Sequence, residues 1–207
     1  MSFSSTDLAS ALDTTTLSTI DSHAVALMAC VVHSPESAVM AVEELHSRGA
    51  DTVLVAEILL QSTLFAGFPR ALNALHAHRE LFGESDSSPR VLEPSDLHLF
   101  RERGETFFRD IYREHSDKVL TLLDSYHPEL RDWILVSAYG RVLARDGVAA
   151  STRELAACAA LMVSRDLRQL ASHARGARHL GASESELAQV GRLVSRLTDR
   201  PEPAELG

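Results

Sequence analysis

Residues 150–182, ASTRELAACAALMVSRDLRQLASHARGARHLGA, decide the fold. An Ala-rich apolar run is cut at Ser164-Arg165-Asp166, resumes with Leu167, Leu170 and Ala174 on one stripe, and stops at Gly181. Apolar residues at this spacing describe two consecutive amphipathic helices, and a glycine just past the last periodic residue is a helix stop. The same grammar holds along most of the chain. Ser34-Pro35 puts a hydroxyl cap before a proline at the first helical position, Gly49 ends that helix, and Asp51 caps the next. Gly67-Phe68-Pro69 breaks the apolar run that follows and starts another helix ending near Gly83. Further helices are expected at roughly 95–115 (capped by Ser95), 117–126, 128–146, 151–164, 166–180 and 183–198. No stretch has the alternation of a strand, so the expected class is all-α, a helical bundle.

Composition agrees with that class. The chain has 207 residues, 45% hydrophobic and only 5% aromatic, which is ample for a core without disulfides or metals. A net charge of −9 argues against a nucleic-acid partner. Ten of the 20 Lys and Arg nevertheless fall between Arg141 and Arg200, against six acids, so the C-terminal part could receive an anion; the plainer reading is a solvated basic face. Cys30 and Cys158 both sit inside apolar runs and read as buried thiols. The N-terminus has no basic segment followed by an apolar one, and no uninterrupted apolar stretch approaches the ~18 residues a membrane span needs. A cytoplasmic location without membrane association is expected. The polar, proline-bearing stretch 84–94 reads as a linker between a first helical unit, 1–83, and a second, 95–207.

An offset of 132 residues superposes Gly49-Ala50 on Gly181-Ala182 and brings helix, break, helix, Gly-Ala and helix into step. The two copies differ in polar content. Ser22 stands opposite Glu154, Ser34 opposite Asp166 and Ala41 opposite His173, so any chemistry belongs to the second copy. There Asp166, Gln169 and His173, at i, i+3 and i+7, share a helix face within reach of Glu154 on the preceding helix. An imidazole beside a carboxylate is the minimum for proton transfer, and Arg153 or Arg175 could hold a substrate carboxylate. The bland alternative is a surface hydrogen-bond network. A metal centre is not expected: Glu43-x-x-His46 lacks a second such pair, Asp124-x-x-His127 is cut by Pro128, and His76 and His78 diverge on a helix.

The segment Thr152-Arg153-Glu154-Leu155, the Ala-rich helix, His173-Ala174-Arg175-Gly176-Ala177 and Gly181-Ala182 resembles the carboxymuconolactone decarboxylase and alkylhydroperoxidase D superfamily. Residues 57–75, EILLQSTLFAGFPRALNAL, and Tyr139-Gly140 are similar to further segments of it. The resemblance implies two diverged units of that helical fold, packed into a homo-oligomer. An AVALMACVV helix that is apolar around most of its circumference also asks to be covered on all sides, by its own chain or a neighbour's. In the alkylhydroperoxidase D branch a Glu works with a C-x-x-C pair and a His; the cysteine positions fall here on Asp166 and Gln169, which cannot do thiol chemistry. The decarboxylase branch implies a lyase with no organic cofactor and no metal, acting on a small anionic, carboxylated lactone-like substrate. Its site would be built from His173 and Glu154 as acid–base pair, with Arg153, Arg175, Asp166, Gln169, Tyr139 and Phe65 about the substrate. A non-catalytic scaffold of the same fold is the alternative, and a thiol-dependent peroxidase ranks last.

Overall fold

A computed structural model describes residues 4–84, 91–198 and 201–202. Among them the regular structure is all helical: α1 (Ser5–Thr14), α2 (Thr19–His33), α3 (Pro35–Ser47), α4 (Thr52–Phe82), α5 (Pro94–Tyr112), a 3-10 turn (Arg113–His115), α6 (Ser116–Tyr126), α7 (Leu130–Asp132), a π-helical stretch (Trp133–Leu143), α8 (Ala150–Ser164), α9 (Leu167–His179) and α10 (Glu184–Thr198). The caps at Ser34, Asp51, Gly49 and Gly181 are those the sequence announces, and Ser183 adds one that it did not. Ser34 Oγ accepts the Ser37 amide, Asp51 that of Val53 and Ser183 that of Glu186, while Gly49 and Gly181 both take positive φ. α5 starts a little earlier than expected, at Pro94 behind Glu93 rather than behind Ser95.

Two compact units emerge, residues 1–85 with 147–207, and residues 86–146. This grouping cuts the chain elsewhere than the sequence-based boundaries of 1–83, 84–94 and 95–207. The reason is that α8 packs along α2, and α9 and α10 pack on that pair. Of the expected linker, residues 85–90 lie outside the described residues.

The larger unit is organised around the α2–α8 pair. Every residue from Ser22 to Val32 and from Thr152 to Val163 is buried. α3 and α4 flank α2 as α9 and α10 flank α8, which is the twofold-like plan the 132-residue offset implies. Because α2 is enclosed by its own chain, its apolar circumference no longer calls for a neighbouring subunit. The copies part company at one contact: α3 also packs on α4, whereas α9 makes no comparable packing with α10.

α4 explains that difference. By length and composition it could cross a membrane, which the reading of separate apolar runs did not anticipate. It is not straight. Gly67 has φ 75° and ψ 164°, and Thr52 Oγ1 lies 3.3 Å from His78 Nε2, whereas 26 residues of unbroken helix would separate them by about 39 Å. The Gly67-Phe68-Pro69 punctuation thus makes a helical hairpin, each arm of which, at about 22 Å, is shorter than a bilayer core. The returning arm reaches α3, where the Phe82 ring meets His46 at 4.9 Å.

In the smaller unit α5 and the π-helical stretch pack so closely that a Cβ on Gly140 would lie 1.9 Å from the Phe100 carbonyl oxygen, and one on Gly104 1.9 Å from that of Leu135. Gly140 is therefore there for close helix approach. Trp133 is 66% exposed: the buried stripe runs Leu135, Val136, Tyr139, Gly140 and Leu143, and Trp133 falls off it.

Candidate functional site

Glu154 occupies the second turn of α8 and is completely buried. The small side chains around it, Ala156, Ala157, Ala174 and Ala177, let α9 approach closely enough for His173 Nδ1 to meet Glu154 Oε2 at 2.9 Å. Burial pulls the His173 pKa down, but the charge of Glu154 and the hydrogen bond to it prevail, and the net shift is upward from the ordinary imidazole value. The two side chains form one hydrogen-bonded pair, and the His173 side chain is 13% exposed. Glu154 Oε1 is buried without a hydrogen-bond partner, a costly arrangement in a protein interior. Phe65, from the first arm of α4, stands edge-on to the imidazole with ring centroids 5.9 Å apart.

The other sequence-derived candidates have partners and surroundings of their own. Arg153 has no accessible surface: its Nη2 pairs with Glu57 Oε2 at 2.8 Å, Nη1 with Gln61 Oε1 at 3.4 Å, and Gln61 Nε2 donates to the Arg153 carbonyl at 2.8 Å. That guanidinium fastens α8 to α4 and has no face for a substrate. Arg175 is exposed, two residues and therefore about 200° around α9 from His173, where it reaches Ser172 Oγ at 3.5 Å. Asp166 and Gln169 are exposed too. Asp166 precedes the helix proper, with ψ 66°, and accepts from Ser164 Oγ at 2.6 Å, so the expected row of three contracts to His173 alone. Tyr139 belongs to the smaller unit, buried against Phe108 at 5.0 Å with its hydroxyl 3.4 Å from that of Tyr112. Glu57 and Gln61 went unnoticed in the sequence, although two polar residues four apart within an apolar run were a visible signal.

A cavity of about 400 Å³ opens where the ends of α2 and α8 meet the bend of α4. Val32 and His33 line it from α2, Val163 and Ser164 from α8, and Phe65, Ala66 and Arg70 from the bend. It reaches the wall of Phe65, but neither His173 nor Glu154 lines it. Both thiols are sealed in the core: burial pushes Cys30 up to about 12, and burial together with the nearby Glu154 charge pushes Cys158 well above its ordinary value. Among the described residues no three His, Cys, Asp or Glu side chains cluster as metal ligands do.

Residues 130–195 match the sequence profile of the Carboxymuconolactone decarboxylase family, a span that holds both Glu154 and His173. Two relatives share the name "Peroxisomal protein 2". The one from Schizosaccharomyces pombe is 28% identical over 148 residues, covering 69% of this chain and 67% of its own length. The one from Saccharomyces cerevisiae is 24% identical over 175 residues, covering 69% of this chain and 60% of its own. The alignments thus span about two thirds of these relatives.

Proposed function

We propose that this chain is an acid–base catalyst of the carboxymuconolactone decarboxylase kind, a lyase working on a small anionic substrate without a cofactor. The observation that carries the reading is the 2.9 Å contact between His173 and a fully buried Glu154. The buried carboxyl group beside it raises the proton affinity of the imidazole and fixes its orientation, and the ring nitrogen not engaged by Glu154 is the one a reaction would use. For loss of carbon dioxide from a carboxylated lactone, the bond to the carboxylate carbon breaks and its electron pair stays on the ring system. His173 then delivers a proton to the ring carbon that held the departing carboxylate, which leaves as carbon dioxide, and takes a proton back from solvent. Turnover of a carboxylated lactone, followed as released carbon dioxide, should vanish in His173→Gln, whose amide can still donate to Glu154 but cannot give up a proton. Turnover that survives this substitution refutes the assignment.

A non-catalytic scaffold is the second reading, favoured by the absence of His173 and Glu154 from the cavity wall. A thiol peroxidase remains last, since both thiols are buried and their pKa values are raised. We carry two further statements as proposals. The chain forms a homo-oligomer through the exposed apolar side chains at the bend of α4, Leu64 before it and Phe68 and Leu72 after it; a monomer in light scattering at micromolar concentration refutes it. The names of both relatives make the peroxisome, rather than the cytosol at large, the compartment to test with a tagged chain and a peroxisomal marker.

A further inference from the structure

We propose that the cavity at the bend of α4 is a binding site for a small organic carboxylate, with Arg70 as its anchor. The inference adds a ligand-holding group to the preceding reading and does not rest on it. The cavity, about 400 Å³, is of the size that holds small molecules, and its walls combine the polar His33, Arg70 and Ser164 with the apolar Val32, Phe65, Ala66 and Val163. Arg70 supplies the only formal charge on those walls. It is half-buried, one of its N–H groups donates to the Val32 carbonyl, and no carboxylate among the described residues pairs with it. A guanidinium has five donors in a planar fork, so the others remain for a ligand.

Two helix ends point at this cavity, and their partial negative charge would by itself favour a cation. The bonding at those ends weakens that objection. The Cys30 carbonyl accepts from the Ser34 amide at 3.2 Å and from Ser37 Oγ at 2.8 Å, the Leu161 carbonyl from the Asp166 amide at 3.0 Å, and the Met162 carbonyl from the Arg165 amide at 3.3 Å. With the Val32 carbonyl held by Arg70 itself, the full positive charge outweighs what the capped carbonyls leave. His33 and Ser164 stand on the same walls as further polar groups, and Phe65, Val32 and Val163 offer the apolar surface for the body of the ligand. The site therefore selects a carboxylate carried on a compact apolar group.

Benzoate is the probe that matches this description, and benzamide is its neutral counterpart. Isothermal titration calorimetry on the full chain should show saturable benzoate binding at millimolar concentration, at least tenfold tighter than benzamide. Arg70→Gln should weaken benzoate at least tenfold with the helical spectrum unchanged. Ala66→Phe fills the cavity from another wall while leaving the guanidinium in place, and it should abolish binding. Equal affinity for benzoate and benzamide, or no saturable binding of benzoate, overturns the proposal. So does full affinity in Arg70→Gln; should that variant fail to fold, undiminished binding in Ala66→Phe overturns it equally. The readout is binding alone, so a silent turnover assay leaves the carboxylate site standing, and failure here leaves the His173 reading to its own test.

Discussion

The two halves of the larger unit share a backbone plan and differ in what they enclose. In the first copy, α3 carries Ala41 at the position of His173, buried to 1%, and the returning arm of α4 lies beside α3. In the second, α9 carries the imidazole, faces Glu154 and makes no comparable packing with α10, so the equivalent position stays partly open. The lesson is that a duplicated helical scaffold can close one copy with apolar and small residues while keeping a buried ion pair in the other. The closed copy supplies core, and the open one supplies the titratable groups.

Removing the imidazole should break this difference with the largest effect. His173→Ala leaves Glu154 buried with both oxygens unmatched, and losing one partner of a buried pair costs about 3–5 kcal/mol. The effect depends on pH in a defined direction. The His173 pKa is raised in the folded protein, so the stability it contributes is fully present below the ordinary imidazole value of about 6.5 and is lost as pH rises through the higher folded value. Denaturant unfolding of wild type and variant across that range should show the gap narrowing as pH increases; a gap that widens contradicts the raised His173 pKa.

The reverse exchange tests the closed copy. Ala41→His forces an imidazole into a position with no free surface and no facing carboxylate, since Ser22, opposite Glu154 in the repeat, spends its hydroxyl on the Thr19 carbonyl at 3.0 Å. Overpacking of this kind costs about 1–3 kcal/mol. A neutral outcome in thermal unfolding would show that the first copy has room the structure does not display.

Much of this plan is legible in the sequence because it is local. The 132-residue offset rests on Gly49 and Gly181, and the bend at Gly67 follows from a glycine and a proline two residues apart. The meeting of Glu154 and His173 is legible because it spans a single helix turn-around of 19 residues. Contacts made at long range leave weaker traces. Arg153 reads as a ligand for anions, yet Glu57 and Gln61, more than 90 residues away, already hold it. The grouping of residues 147–207 with 1–85 likewise depends on which apolar helix finds α2, and periodicity names the faces without naming their partners. Tyr139 illustrates a third limit: its neighbour Gly140 announces a close approach, but only the folded chain shows that the tyrosine packs within the smaller unit.

The smallest effect sharpens the comparison by testing what the copies have in common. Gly49 has φ 66° and Gly181 φ 102°, each just after the helix that carries position 41 or 173, and nothing stands within 4 Å of where a Cβ would be built on either. Substitution to alanine therefore meets no steric obstacle beyond the backbone's own preference, and an L-residue held at positive φ costs about 1 kcal/mol. Gly49→Ala and Gly181→Ala should destabilise the protein by similar amounts in denaturant unfolding, and the double variant by their sum, since the two turns share no partner. If the turns are equivalent parts of one repeated backbone plan, neither substitution should alter the pH dependence set by His173. A Gly181→Ala cost several times that of Gly49→Ala would mean that the turn after α9 is coupled to the ion pair, and that the copies diverge in backbone as well as in side chains.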